Sequence, residues 1–357
     1  MRSRRCVTVL AMAAAAALWT APTAGAATRI VLTGGPPPKA SQAGGLKFPA
    51  ALDLNGFFRR RITIHVGDSV KWVMSQRVVH TVTFLKRGTK VPTLETQDAA
   101  HPYTGFKDAA GNDFWFNGQP SLLIPPDHAG PVGGARTNGR TYHNSGLTAP
   151  AFKPYKLKFT RAGTFRYVCL VHPGMTGTVR VVRRGHRIPS ARANRREAIR
   201  EMRRALRLAK RQANFHPKGN NVVAAHDKGV VSWFRFFPAV RSIKVGQSVT
   251  FSISSQSEIH TVTFGPEAYR DDLEKNLILG GPVGPIFNPQ IFLPSDKPPL
   301  PAYDGANHGN GYFNTGIMDT NPNTPVPRTN TVTFTKAGTY VFECTIHPGM
   351  EGTIKVT

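Results

Sequence analysis

One seven-residue string occurs twice in this chain, as Cys169-Leu170-Val171-His172-Pro173-Gly174-Met175 and as Cys344-Thr345-Ile346-His347-Pro348-Gly349-Met350. Each copy spaces a thiol, an imidazole and a thioether three residues apart around a Pro-Gly turn. Two copies of a soft-donor loop are hard to explain as packing. They require that whatever framework holds the first copy be built again for the second.

The flanking sequence repeats accordingly. Ile64-His65-Val66-Gly67-Asp68-Ser69-Val70 matches Ile243-Lys244-Val245-Gly246-Gln247-Ser248-Val249. His80-Thr81-Val82-Thr83-Phe84 is repeated without change as His260 to Phe264, and Phe159 to Phe165 matches Phe334 to Tyr340. The turn ahead of the histidine is one residue longer in the second copy. Apolar residues alternate at Ile62, Ile64 and Val66, and again at Val70, Trp72 and Met74, which is the period of half-buried strands. His80 to Phe84, Lys156 to Phe159, Thr164 to Cys169 and Thr178 to Val182 also read as strands. The sequence therefore predicts an all-β pair of like domains, 51–183 and 217–357. A chain of 357 residues is long enough for two cores. Long Gly/Pro-rich segments, about 85–155 and 265–330, interrupt both copies. They share fragments, Phe116-Asn117-Gly118-Gln119 with Phe287-Asn288-Pro289-Gln290 and Asn144-Ser145-Gly146 with Asn314-Thr315-Gly316, so a common conformation is expected there.

Residues 1–26 have the pattern of a secretory signal: Arg2, Arg4 and Arg5, then an apolar run from Val7 to Trp19, then Ala24-Gly25-Ala26. Ser3-Arg4-Arg5 resembles part of a twin-arginine signal, and an uncleaved anchor is the alternative. The expected location is periplasmic, cell-envelope or extracellular. Residues 27–50 read as a flexible lead-in. The formal charge is +26, or +23 without the three signal arginines. Much of it sits in 183–211, where twelve Lys/Arg face two Glu, a net +10. Asn194 and Glu197 fit a capping box, and Ile199, Met202, Leu206, Ala209 and Ala213 recur at helical spacing. A basic helical linker over 184–216 is expected. Its apolar stripe would rest on a domain; its charged face, about 190–213, could also meet an anionic envelope surface or an acidic redox partner. No nucleic-acid partner is expected.

Cys169 and Cys344 are the cysteines left after a signal containing Cys6 is removed. A disulfide between them would have to join equivalent points of two repeats and would leave the adjacent His and Met unexplained. A thiolate with imidazoles and a weak thioether instead points to copper, because two His, one Cys and a long axial Met form a blue-copper electron-transfer set. His80 and His260 are the natural fourth donors.

With these residues in place, the sequence resembles a tandem pair of cupredoxins of the plastocyanin/amicyanin type, the short Cys-x-x-His-Pro loop being most similar to amicyanin. The resemblance covers the strand framework, about half of each domain, and implies two Greek-key β-sandwiches with one copper each. Carried onto this chain, it assigns His80, Cys169, His172 and Met175 to one metal and His260, Cys344, His347 and Met350 to the other. It also implies that His172 and His347 lie nearest the surface and pass electrons across a patch including Pro173-Gly174 and Pro348-Gly349. Plastocyanin-like proteins commonly carry Asn after the first ligand histidine. Thr81 and Thr261 stand there instead, with a backbone or hydroxyl hydrogen bond as the expected replacement.

Cupredoxin domains also build multicopper oxidases and nitrite reductases, which use further histidines, often as His-x-His, and one beside the ligand cysteine. Here Val168 and Glu343 precede the cysteines, no two histidines are two residues apart, and His101, His128, His143 and His308 stand singly in the long segments. The sequence therefore favours an electron carrier over an enzyme. Copper storage or delivery is an alternative, as is an envelope-binding protein that uses the fold as scaffold.

Overall fold

The computed structural model describes residues 25–75, 77–147, 153–321 and 324–357. The signal expected at residues 1–26 lies, as far as residue 24, outside the described residues. Two halves repeat one strand order. In the first, Phe57–Phe58, Thr28–Thr33, Ser69–Met74, Tyr155–Phe159 and Arg136–Thr137 form one sheet. The second sheet runs His143–Asn144, Thr83–Phe84, Gly163–Val168, Thr176–Val182, Arg61–His65. In the second half Phe236–Phe237, Asn221–Ala224, Ser248–Ile253 and Thr329–Thr333 reproduce the first sheet. Val240–Ile243, Glu351–Val356, Gly338–Glu343, Thr263–Phe264 and Phe313–Asn314 reproduce the second in the same order. Side-chain alternation along each strand sends one set of residues between the sheets. Trp72, Val70 and Val31 from one sheet meet Ile62, Val179 and Tyr167 from the other in the first core, and Phe251, Val249, Phe342 and Ile354 do so in the second.

Four expectations need correction. Residues 27–50 are not a loose lead-in: Thr28–Thr33 pairs in parallel with Ser69–Met74 and is a core strand, and a short 3-10 turn follows at Ala40–Ala43. Of the stretch His80 to Phe84, only Thr83–Phe84 is strand. The helix spans Ala191–Gln212 and starts one turn earlier than Asn194. Its cap is Ser190, whose hydroxyl accepts from Ala193 N at 3.2 Å; Asn194 is buried inside the helix and accepts from Arg59 Nε. Finally, Phe116-Asn117-Gly118-Gln119 and Phe287-Asn288-Pro289-Gln290 are not equivalent, since Ile286 pairs with Leu123, several residues beyond Phe116.

The helix does more than link. Ala198, Met202, Ala205 and Ala209 are buried in one cluster with Leu32, Phe58 and Val73 of the first half and Val223, Trp233 and Phe237 of the second. Small residues at every turn let both halves approach the helix axis. Burying each Phe- or Met-sized side chain contributes about 1.5–3 kcal/mol. The exposed pairs of Glu197 with Arg200 and Arg204 add little beside that. Beneath the helix Leu52–Leu54 pairs antiparallel with Val231–Trp233, Asp53 opposite Ser232. These are the same strand of the two repeats, so the halves meet about a local twofold axis. The long segments join as well. Thr96–Pro102 and Pro120–Leu123 share a sheet with Ile278–Gly280 and Pro285–Phe287, over a core containing Phe114, Phe116, Phe292 and Tyr312.

Candidate metal centres

Each centre lies at one end of a half, where the Cys-to-Met loop joins two antiparallel strands. Cys169 follows Gly163–Val168 and Met175 precedes Thr176–Val182; Cys344 and Met350 sit likewise between Gly338–Glu343 and Glu351–Val356. The backbone closes the loop on itself. Cys169 N donates to Met175 O at 3.0 Å and Met175 N to His172 O at 3.1 Å, with 2.9 and 3.1 Å for the same bonds at Cys344 and Met350. Gly174 and Gly349 turn the chain at φ +83° and +77°, a left-handed conformation that favours glycine.

The loops bring the predicted donors together. Cys169 Sγ is 3.4 Å from His172 Nδ1 and 4.0 Å from His80 Nδ1, and the two Nδ1 atoms are 3.0 Å apart. In the second centre the corresponding distances are 3.4, 3.5 and 3.1 Å. In both, the three donor atoms lie within 4.8 Å of one another. Such spacing suits donors held at about 2.0–2.3 Å from a single ion. Met175 and Met350 are buried in the same cores as their cysteines. Both cysteines are free thiols, one in each centre, not a disulfide.

The electrostatics favour a thiolate. Burial pushes the Cys169 thiol up, but His172 and His80 more than offset it and hold the group well below the ordinary thiol value. Burial, His347 and His260 act in the same way on Cys344. Backbone N–H groups also point at the sulfurs, Thr81 N at 3.3 Å and Thr261 N at 3.4 Å. The two threonine hydroxyls accept from the residues after the cysteines, Leu170 N at 2.8 Å and Thr345 N at 3.1 Å. Thr81 and Thr261 thus tie the loop to the histidine strand through backbone and hydroxyl together. A soft sulfur donor and two Nδ1 donors fit copper better than the harder cations.

The loop histidines are not at the surface. His172 is fully buried and His347 is 6 % exposed, although Pro173-Gly174 and Pro348-Gly349 are open to solvent. The reason is Glu258. Its Oε1 is 3.1 Å from His172 Nε2 and its Oε2 is 3.3 Å from His347 Nε2, so one carboxylate from the second half meets a loop histidine of each half. Asn55 Nδ2 donates to Glu258 Oε1 at 2.6 Å, and Glu258 N donates to Ser255 Oγ at 3.0 Å. Burial raises the Glu258 carboxyl, but His172 and His347 hold it well below the usual carboxylate range. Burial lowers His347, yet Cys344 and Glu258 carry it to about 10. Asp53 lies close by, pushed up to about 7 by burial although Leu54 N and Gly35 N donate to it.

Sequence reasoning missed Glu258, Asn55 and Asp53. The available signal was the extra residue in the second copy between Ile253 and His260, which carries Glu258 where the first copy has Val78 near His80.

No protein-family model matches the chain, and no curated protein does. Among solved structures, a purple cupredoxin from Nitrosopumilus maritimus is 13 % identical, covering 38 % of this chain and 98 % of its own, with a TM-score of 0.21. Auracyanin A, a blue copper protein from Chloroflexus aurantiacus, is 19 % identical over 38 % of this chain and 96 % of its own, at 0.23. Plastocyanin from Dryopteris crassirhizoma is 15 % identical over 38 % and 99 %, at 0.22.

Proposed function

We propose that the chain is an exported blue copper protein of two tandem cupredoxin domains, carrying electrons at two type 1 sites. His80, Cys169, His172 and Met175 would hold one copper; His260, Cys344, His347 and Met350 would hold the other. The observation that carries this reading is the convergence of one cysteine sulfur and two histidine Nδ1 atoms, twice. Bound there, copper would supply a one-electron Cu(I)/Cu(II) couple. The protein's own part is to fix the donors. The loop backbone bonds, the threonine hydroxyls and the buried rings hold them in place before any ion arrives, so little rearrangement accompanies a change of oxidation state. Tight burial of all six N and S donors also favours a carrier over a storage or delivery protein, which must release its metal. A multicopper enzyme is the least favoured reading, because Val168 and Glu343 stand directly before the ligand cysteines, where such enzymes commonly place a histidine. The basic helix would serve an acidic redox partner or an anionic envelope surface with its solvent face.

The test is direct. Purified protein given Cu(II) should turn intensely blue and bind two coppers per chain. Cys169→Ser and Cys344→Ser should each remove one copper and about half of the absorption, the thiolate being the donor that makes the colour. A colourless wild type overturns the proposal.

A further inference from the structure

Resting on that copper reading, we propose that the two centres exchange an electron inside the chain through His172, Glu258 and His347, so that they work as one unit. Both histidines direct Nδ1 at their own centre and Nε2 at the same carboxylate. From one Nδ1 to the other, the path crosses two imidazoles and one carboxylate, with only the gaps of 3.1 and 3.3 Å not spanned by covalent bonds. The whole path is shut from water, with His172 at 0 %, His347 at 6 % and Glu258 at 7 % exposure. Asn55 Nδ2 holds the carboxylate, and Ser255 Oγ accepts from the backbone N–H of the same residue, as a preorganised connection requires. The ring edges that a separate protein would otherwise touch are the edges that face Glu258. With copper held by both donor sets, His172, Glu258 and His347 would connect a one-electron donor in one centre to a one-electron acceptor in the other. One electron moves, and no proton or further reactant is consumed.

The test uses the full chain with two coppers and Met350→Gln, a change of axial ligand that sets the two absorption bands apart. A flash that delivers less than one electron per chain should be followed by redistribution between the bands. The expected rate is first-order and independent of protein concentration. Glu258→Gln keeps the shape of the side chain but replaces one of the two oxygens that face the rings with an amide nitrogen, so one ring loses its carboxylate contact. It should slow the exchange by about tenfold or more while both coppers stay bound. A rate proportional to protein concentration, or one unchanged in Glu258→Gln, overturns the proposal. A second measurement needs neither copper nor a variant. In metal-free wild type, 15N signals of the imidazoles should place both Nε2–H groups against a carboxylate; a ring lacking that contact overturns the bridge. The NMR measurement separates the two ideas, because a protein that binds no copper defeats the copper reading and leaves the bridge to be judged by NMR alone.

Discussion

The two centres have the same loop and nearly the same donor distances, yet different neighbours press on them. At the end of the strand beside the first histidine stands Gly34 (φ +72°) in one half and Ala225 (φ +56°) in the other, each with its N–H donating to the same neighbouring strand, at Gly56 O and Arg235 O. Ahead of the cysteine stands half-buried Val168 in one and buried Glu343 in the other, with Glu343 Oε2 3.2 Å from Arg270 Nε. Over the loop histidine, the twofold relates Asn55, which holds Glu258, to Phe234, which stacks on His347 at 4.3 Å and 15°. Cys169 Sγ is 4.0 Å from His80 Nδ1, whereas Cys344 Sγ is 3.5 Å from His260 Nδ1. The repeat specifies the donors, while the residues around each donor set differ.

The sharpest way to break the comparison is the charged pair beside Cys344. Arg270→Ala leaves Glu343 buried without a counter-charge and should destabilise the second half by about 3–5 kcal/mol. Burial already raises the Glu343 carboxyl above its ordinary value, with Arg270 acting against that rise. A carboxyl whose folded value is raised favours the folded state below its unfolded value and loses that contribution as pH rises through the folded one. Removing Arg270 enlarges the rise, so urea denaturation should show a larger loss at pH 8 than at pH 5. The pair Arg270→Leu with Glu343→Val, the latter copying Val168 of the first half, should restore most of the stability. If the double variant is as weak as the single one, the charge is not what distinguishes the halves.

The next effect is steric and falls on the first centre. A Cβ on Gly34 would lie 2.3 Å from His80 Nε2 and 2.8 Å from Ser75 Cβ. Gly34→Ala must therefore move the ring, and it adds about 1–2 kcal/mol of left-handed backbone strain. Metal analysis should show bound copper falling from two toward one per chain, with the second centre's band intact. Retention of both coppers would mean that His80 has room the present packing does not show.

How much of this was legible follows from the range of each interaction. The donors, their grouping and the strand framework are local patterns repeated in register, so Cys169, His172, Met175 and their counterparts could be read directly. Thr28–Thr33 was hidden because its neighbours are Gly- and Pro-rich and its partner strand lies forty residues on. The helix start was misplaced because Asn194 and Ser190 both satisfy the chemistry of a cap, and only tertiary burial chooses between them. Glu258 could not be read as a bridge at all: its role depends on how two halves dock, and a single extra residue ahead of His260 says nothing about what it will face. The burial of His172 and His347 against Glu258 was hidden for the same reason, since that carboxylate meets both rings only where the halves dock.

Phe234 offers the finest resolution of the difference. Its ring lies nearly parallel to His347 and half-buried over it, where the first half has a polar residue. Stacked aromatic pairs contribute about 0.5–1.5 kcal/mol beyond the area they bury. Phe234→Leu keeps an apolar cover and removes the stack, so copper affinity at the second centre should fall by no more than about tenfold, one decade being about 1.4 kcal/mol. Competition with a chelator in the Cys169→Ser background reads the second centre alone, and the Cys344→Ser background reads the first, which should not change. Equal losses at both centres would show that Phe234 acts through Glu258 on the pair and not on its own ring. That outcome would replace two separately tuned centres with one coupled site, and the asymmetry between Asn55 and Phe234 would then belong to the bridge.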